Sequence, residues 1–374
     1  MDLSYTEEQL LLRDSVQKFI SDKYDISERN KITATEEGFS RENWQLFAEL
    51  GWLALPFKEE DGGIGGTPVD TMILMEEFGK GLVVEPYLQT VIMVGTALSE
   101  AGSAEQKAEV IPSIIDGSLI ATFAYAEESA YHDLNYIATS ATRDGDSFLI
   151  NGTKSVVSNA QSAEKILVTA RTSGNIDDGD GITLFLVDAN HEGISREDYP
   201  TVDGLRASEV TFTDIRVPAT AVVGDIDGGA AIIEKIARRA ILALSAESVG
   251  GMEILYTDTI EYTKERVQFD HPLSDFQVLK HRMTEMFMEY SLAKSLCMKA
   301  AMLDTQDSDE ASRTIHALKY LVGKNGRFVS QNAVQLHGGM GMTEELRIAH
   351  YFKRLMVIDS QFGNTDHHLA RFVA

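Results

Sequence analysis

The chain has 374 residues, 44% of them hydrophobic and 24% charged, a composition that buries a large core and is not that of a disordered polymer. Its 33 Lys and Arg against 58 Asp and Glu leave a net charge of −25, which excludes a general nucleic-acid binder or a protein that docks on anionic lipid. The single cysteine, Cys297, excludes a disulfide framework and a cysteine-based zinc site, and in its apolar helical surroundings it reads as a small buried hydrophobe. The first residues lack the basic region and apolar core of a secretory leader, and no apolar run is long enough to span a bilayer. A cytoplasmic protein is expected.

Residues 1–118 read as helical. Ser4 and Glu7 have capping-box spacing ahead of Leu10, Leu11 and Leu12. The glycine cluster from Gly62 to Gly66 lacks the Lys-Ser/Thr ending of a phosphate loop, so it reads as a turn. The next helix is expected near Thr67-Pro68-Val69-Asp70, with Pro68 in the first turn. Residues 119–226 carry short β-type runs at Thr153–Ser158, Lys165–Ala170, Gly181–Asp188 and Glu209–Val217. Turn signals lie at Asp144-Gly145-Asp146, Asn151-Gly152 and Gly179-Asp180-Gly181. From 227 to 374 helical periodicity returns, with one stripe through Ile232, Ile236, Ala240, Leu244 and Glu247 and another through Phe276, Leu279, Met283 and Phe287. The expected fold is α+β: an N-terminal helical domain (1–118), a sandwich- or barrel-like middle β-domain (119–226) and a C-terminal four-helix bundle (227–374).

The segment Gln335-Leu336-His337-Gly338-Gly339-Met340-Gly341-Met342-Thr343, preceded by Arg266-Val267-Gln268-Phe269, is the most informative pair in the chain. Two glycines beside a glutamine on a helical segment let a backbone approach a pyrophosphate, and a preceding arginine can neutralise it. Other segments join them in order: Glu59 to Gly66 with Met75-Glu76-Glu77-Phe78-Gly79-Lys80, then Asn151 to Asn159, Asp214-Ile215-Arg216-Val217-Pro218 with Gly224, and Phe276-Gln277. In this order they resemble the acyl-CoA dehydrogenase family across essentially the whole chain. The tail from His350 to Arg371 and the stretch Ala246-Glu247-Ser248-Val249-Gly250-Gly251-Met252 are similar to the pimeloyl-CoA dehydrogenase small subunit and to subunits of heterotetrameric steroid side-chain acyl-CoA dehydrogenases.

The resemblance implies FAD as cofactor and an acyl-CoA thioester as substrate. An α-hydrogen would leave as a proton and a β-hydrogen as hydride, with electrons passed on to an electron-transfer flavoprotein. It implies that Arg266 faces the pyrophosphate and that Gln335 with Gly339 lines the adenosine end. Phe269, Gln277 and Gly338 would complete this half, offered across a subunit boundary in a homo- or hetero-tetramer. The other half departs from the family pattern: Thr-Glu-Pro reads Ala126-Glu127-Glu128 and Gly-Ser-Asp reads Tyr131-His132-Asp133. Val156 stands where the family has Trp, and Ser158 where it has a Thr hydroxyl, so Ala126 and Ser158 are the positions left to meet the flavin ring.

The family's usual base falls at Phe362 and a second familiar place at Ala240, and neither side chain accepts a proton. Glu247 lies seven residues beyond Ala240, about two turns at 3.6 residues per turn, so both share a face. An acid among Leu242, Leu244, Val249 and Met252 is costly unless solvated, paired or functional. In the narrower subgroup a Glu here is thought to replace the usual base; the alternative is a salt-bridged helix glutamate at a subunit contact. Asp359 and Asp366 are secondary sources of a base. Arg238 and Arg239 read either as CoA-phosphate ligands or as a solvated helix face. His367 and His368 are adjacent, do not face the same way, and have no further ligand to complete a metal set. The leading expectation is an FAD-dependent acyl-CoA dehydrogenase or a subunit of one. The rivals are a non-catalytic partner that completes another subunit's flavin site, and a flavin oxidase or monooxygenase on the same scaffold.

Overall fold

The computed structural model describes residues 4–304 and 308–374. In chain order its helices are α1 (Glu7–Lys23), α2 (Ile26–Thr33), α3 (Arg41–Glu49), α4 (Pro68–Gly81), α5 (Gly95–Ala101), α6 (Ala104–Ile115), α7 (Gly229–Glu265), α8 (Gln277–Leu303), α9 (Asp309–His337), α10 (Arg347–Ser360) and α11 (Thr365–Val373). The capping box of α1 is Thr6 with Gln9, not Ser4 with Glu7. Both pairs have the spacing, but a cap at Thr6 puts Glu7 and Glu8 into the first turn, against the positive end of the helix dipole. At α4, Thr67 caps, Asp70 returns the bond and Pro68 opens the helix, as its sequence predicts.

The chain falls into two compact units. One comprises Ile32–Gly66 and Val84–Ala240 and holds the sheet. Its strands are β1 (Ala121–Ala124), β2 (Ser140–Asp144), β3 (Ser147–Ser158), β4 (Lys165–Arg171), β5 (Ile182–Asp188), β6 (Ile194–Pro200), β7 (Arg206–Pro218) and β8 (Val222–Val223). They pair in the order β6-β7-β3-β2-β4-β5-β8, with β1 parallel to β4. Strands β2 and β4 share only the pair Ser140 and Arg171, so the sheet divides into two wings there. The wings close on one core: Phe148 of β3 and Phe185 of β5 lie edge to face with ring centroids 5.1 Å apart. This is the sandwich-like arrangement expected. Asn151-Gly152, expected as a turn, instead sits inside β3 at a register shift. Gly152 takes φ 151° and packs on Thr139, where a Cβ would collide, while the Asn151 side chain exchanges two hydrogen bonds with Asp214 on β7. A turn-type dipeptide therefore serves as a β-bulge.

The other unit comprises Thr67–Val83, Ile241–Ala374 and the described part of Met1–Lys31. Here α8, α9, α10, α11 and the later part of α7 form the bundle, with a short hairpin of β9 (Val267–Gln268) and β10 (His271–Pro272) between α7 and α8. Helices α4 and α7 cross closely, because a Cβ on Gly79 would fall on the Glu247 carbonyl oxygen and one on Gly250 on the Glu76 carbonyl oxygen. On α7 the expected stripe is buried throughout. On α8 it is not: the inward residues are Met283, Met286, Tyr290, Ala293, Cys297 and Ala300, while Phe287 is 49% exposed. The stripe that is buried is as apolar as the one expected, and periodicity alone does not choose between them.

Candidate active site and cofactor surface

The Arg266 and Gln335 motifs meet at one end of the bundle. Tyr262, one turn before Arg266 on α7, stacks on His337 of α9 at 4.3 Å, and its hydroxyl donates to the His337 carbonyl at 3.4 Å. The hairpin closes as the Leu273 N–H donates to the Arg266 carbonyl at 2.8 Å. Phe269, at φ 56° and 83% exposed, stands edge-on to Phe276 with centroids 6.2 Å apart. The side chains of Arg266, Gln277 and Gln335 are exposed and have no hydrogen-bond partner among the described residues. Gly338, at φ 60°, and Gly339 have nothing within 4 Å of where a Cβ would stand. An open glycine backbone beside an unpartnered guanidinium and an unpartnered amide fits a dinucleotide pyrophosphate.

Ala126 and Ser158 belong to the sheet-bearing unit. The Ala126 carbonyl accepts from the Ser155 N–H at 2.8 Å, and the Ser158 carbonyl accepts from the Thr122 hydroxyl at 2.6 Å. Glu127, next to Ala126, accepts from the Ala138 and Thr139 N–H groups, the Thr139 hydroxyl and the Lys154 ammonium, the last at 2.7 Å. Lys154 is fully buried and also donates to the Thr169 hydroxyl at 2.9 Å. Burial pulls its pKa down to about 8 against the opposing pull of Glu127. Burial pushes Glu127 up, but the Lys154 charge and the Thr139 bonds outweigh it and hold the carboxyl below its ordinary range. Two residues on, Val156 takes φ 54° at a second register shift of β3 and is 58% exposed. Its N–H donates to Glu209 at 3.1 Å, which offsets the cost of a left-handed β-branched residue.

Glu247 lies on α7 and is 7% exposed. Arg354 of α10 holds both its oxygens, Nε donating to Oε1 at 2.5 Å and an Nη donating to Oε2 at 2.7 Å. Burial and pairing thus coincide: the costly acid on the apolar face has its counter-charge. Ala240 is buried in the other unit. Asp359 is buried and engaged by Arg327 at 2.8 Å and by the N–H and hydroxyl of Thr365, while Asp366 is exposed. Phe362, at φ 55°, and Gly363, at φ 103°, form a turn clamped from two sides. Lys319, fully buried, donates to the Ile358, Asp359 and Gly363 carbonyls at 2.7, 2.9 and 2.9 Å. His368 Nε2 lies 2.9 Å from the Phe362 carbonyl, and its Nδ1 lies 2.9 Å from His316 Nδ1. A carbonyl only accepts, so Nε2 carries the proton and His316 donates to the bare Nδ1. Burial pulls the His368 pKa down to about 3, which keeps the imidazole neutral. Among the described residues no group of three or more His, Cys, Asp or Glu could hold a metal. Arg239 reaches Glu100 at 3.5 Å, within the sheet-bearing unit.

Comparison with known proteins gives this geometry its context. The acyl-CoA dehydrogenase N-terminal, middle and C-terminal domain families match residues 6–118, 122–215 and 227–373. The chain belongs to the acyl-CoA dehydrogenase family. Members of this family are FAD-dependent oxidoreductases acting on CH–CH bonds. A probable acyl-CoA dehydrogenase of Bacillus subtilis, YngJ, is 28% identical over 98% of this chain and 97% of its own. An acryloyl-CoA reductase (NADH) of Anaerotignum propionicum is 25% identical over 98% and 94%. Among solved structures, a variant of the Tcur3481–Tcur3483 steroid ACAD superposes with a TM-score of 0.88 at 26% identity, covering 98% and 97% of the two chains. PigA with FAD and proline gives 0.92 at 26% identity, covering 100% and 98%. No helix among the described residues is long and apolar enough to cross a membrane.

Arg354, Lys319, Lys154 and His316 were not singled out from the sequence. For Lys154 a signal existed: Phe148, Ile150 and Lys154 fall on the inward period of β3. Arg354, Lys319 and His316 act across helix–helix contacts that no local pattern records.

Proposed function

We propose that this acyl-CoA dehydrogenase family member carries out α,β-dehydrogenation of an acyl-CoA thioester, with Glu247 as the proton acceptor. Arg266, Phe269, Gln277, Gln335, Gly338 and Gly339 hold FAD on one surface, and Ala126 and Ser158 contribute from the sheet-bearing unit. When bound, FAD supplies the hydride acceptor. The observation that carries the reading is geometric: Glu247 is a buried carboxyl on a helix face, held by a two-bond fork from Arg354. Phe362 has no proton acceptor, Asp359 is fully engaged and Asp366 faces solvent. Glu247→Gln should abolish turnover and leave bound flavin intact; a near-normal rate would remove Glu247 from the mechanism.

The acyl group we favour is dicarboxylyl, cyclic or steroid-derived, a choice supported by the likeness to a steroid ACAD. Electrons then pass to an electron-transfer flavoprotein, and the working assembly is a tetramer, homomeric or with a second acyl-CoA dehydrogenase subunit. One observation favours a second reading, in which the chain completes a partner's flavin site without catalysis: Arg354 occupies both oxygens of Glu247. Flavin content decides. One flavin per chain in the protein purified alone supports the first reading, and flavin only after a partner is added supports the second. Fast reoxidation of the reduced protein by air would favour an oxidase.

A further inference from the structure

This inference rests on Glu247 as the proton acceptor. We propose that Arg354 is the positioning residue of that base: it holds and aims the Glu247 carboxyl through a two-bond fork, and a side-chain rotation that frees one oxygen is what admits the substrate proton.

Both ends of the fork stand on immobilised helices. On α7, the Glu247 carbonyl lies against Gly79 and Gly250 lies against the Glu76 carbonyl, so neither backbone can approach further or slide without collision. On α10, Lys319 ties the Ile358 and Asp359 carbonyls, and Asp359 is held by Arg327 and Thr365. Movement between base and guanidinium therefore belongs to the two side chains. The charged groups on neighbouring elements have partners of their own. Glu76, Glu77 and Lys80 of α4 join Glu253 of α7 and Lys294 of α8 in one network. Arg327 of α9 pairs with Asp359, and Lys353 of α10 pairs with Glu344. Arg354 is the cation at the Glu247 carboxylate, and Glu247 has no other side-chain partner among the described residues.

The proton step balances simply. The α C–H bond of the thioester breaks, its electron pair stays on the acyl group, and the proton forms an O–H bond with the freed Glu247 oxygen. Arg354 keeps its bond to the other oxygen. FAD, when bound, would supply the two-electron acceptor for the β-hydride, which balances the two-electron oxidation of the acyl group.

The test compares Arg354→Lys, Arg354→Met and Glu247→Gln in the FAD-loaded protein. Two readouts are followed against pH: the infrared carbonyl band of protonated Glu247, identified by its loss in Glu247→Gln, and the acid limb of kcat/KM. Arg354→Met should move both midpoints up together by about one to three pH units. Arg354→Lys keeps the charge and loses the fork, so it should shift both by less and recover part of the rate. If Arg354→Met does not fold, the Lys variant carries the test through the same two midpoints. Folded variants whose infrared midpoint stays at the wild-type value overturn the proposal. A normal rate in Glu247→Gln overturns the base assignment instead, whatever the infrared band does.

Discussion

Glu127 and Lys154 illustrate what a buried charge requires. The carboxylate has four donors, one of them its counter-ion, and the ammonium has two acceptors. Removing one partner strands the other, so Lys154→Met should cost about 3–5 kcal/mol by chemical denaturation. Because the folded pKa of Glu127 lies below its ordinary value, its contribution is complete above pH 4.5 and is lost as pH falls through the folded value. The stability advantage of wild type over Glu127→Gln should therefore shrink in melts taken below pH 4.5. A residue-scale prediction for the cofactor surface follows from the unpartnered guanidinium. Arg266→Ala should weaken FAD binding by about 1.5–3 kcal/mol, read by flavin release on dilution, while leaving the apo-protein's melting point within about 1 °C. At this scale the sequence was informative about types and silent about partners. Glu247 stood out as an acid on an apolar face, yet Arg354, 107 positions later, could not be read without the bundle.

Elements were more legible than their details. The order of helices, strands and helices follows from hydrophobic period, and α4 starts where its capping residues say. Three misreadings share a cause. The cap of α1, the bulge at Asn151-Gly152 and the buried stripe of α8 each had two locally acceptable solutions, and tertiary packing chose between them. The crossing of α4 and α7 gives the prediction at this scale. Gly79→Ala and Gly250→Ala each place a methyl group on a backbone carbonyl that cannot rotate away. Each should destabilise by about 1–3 kcal/mol or more, with the helices forced apart. Gly339→Ala, in open space, should leave the apo-protein's stability nearly unchanged and impair FAD binding.

For the whole molecule, cofactor and stability are linked by mass action. FAD at about 100-fold its Kd should stabilise the fold by about 2.7 kcal/mol, and Arg266→Ala should lose most of that gain at the same concentration. Differential scanning calorimetry with and without added FAD measures it. Under the proposed function, the acidity of the chain, at −25, would make association with an anionic thioester sensitive to ionic strength; added salt should then speed binding until screening is complete. The histidine arrangement behind Phe362 has a further use. With one ring nitrogen obliged to donate to a carbonyl and the other to accept, His368 is a single tautomer, and its two nitrogen-15 resonances should lie far apart. That pair of signals is a built-in spectroscopic label for the bend after α10, readable in solution before and after FAD is added.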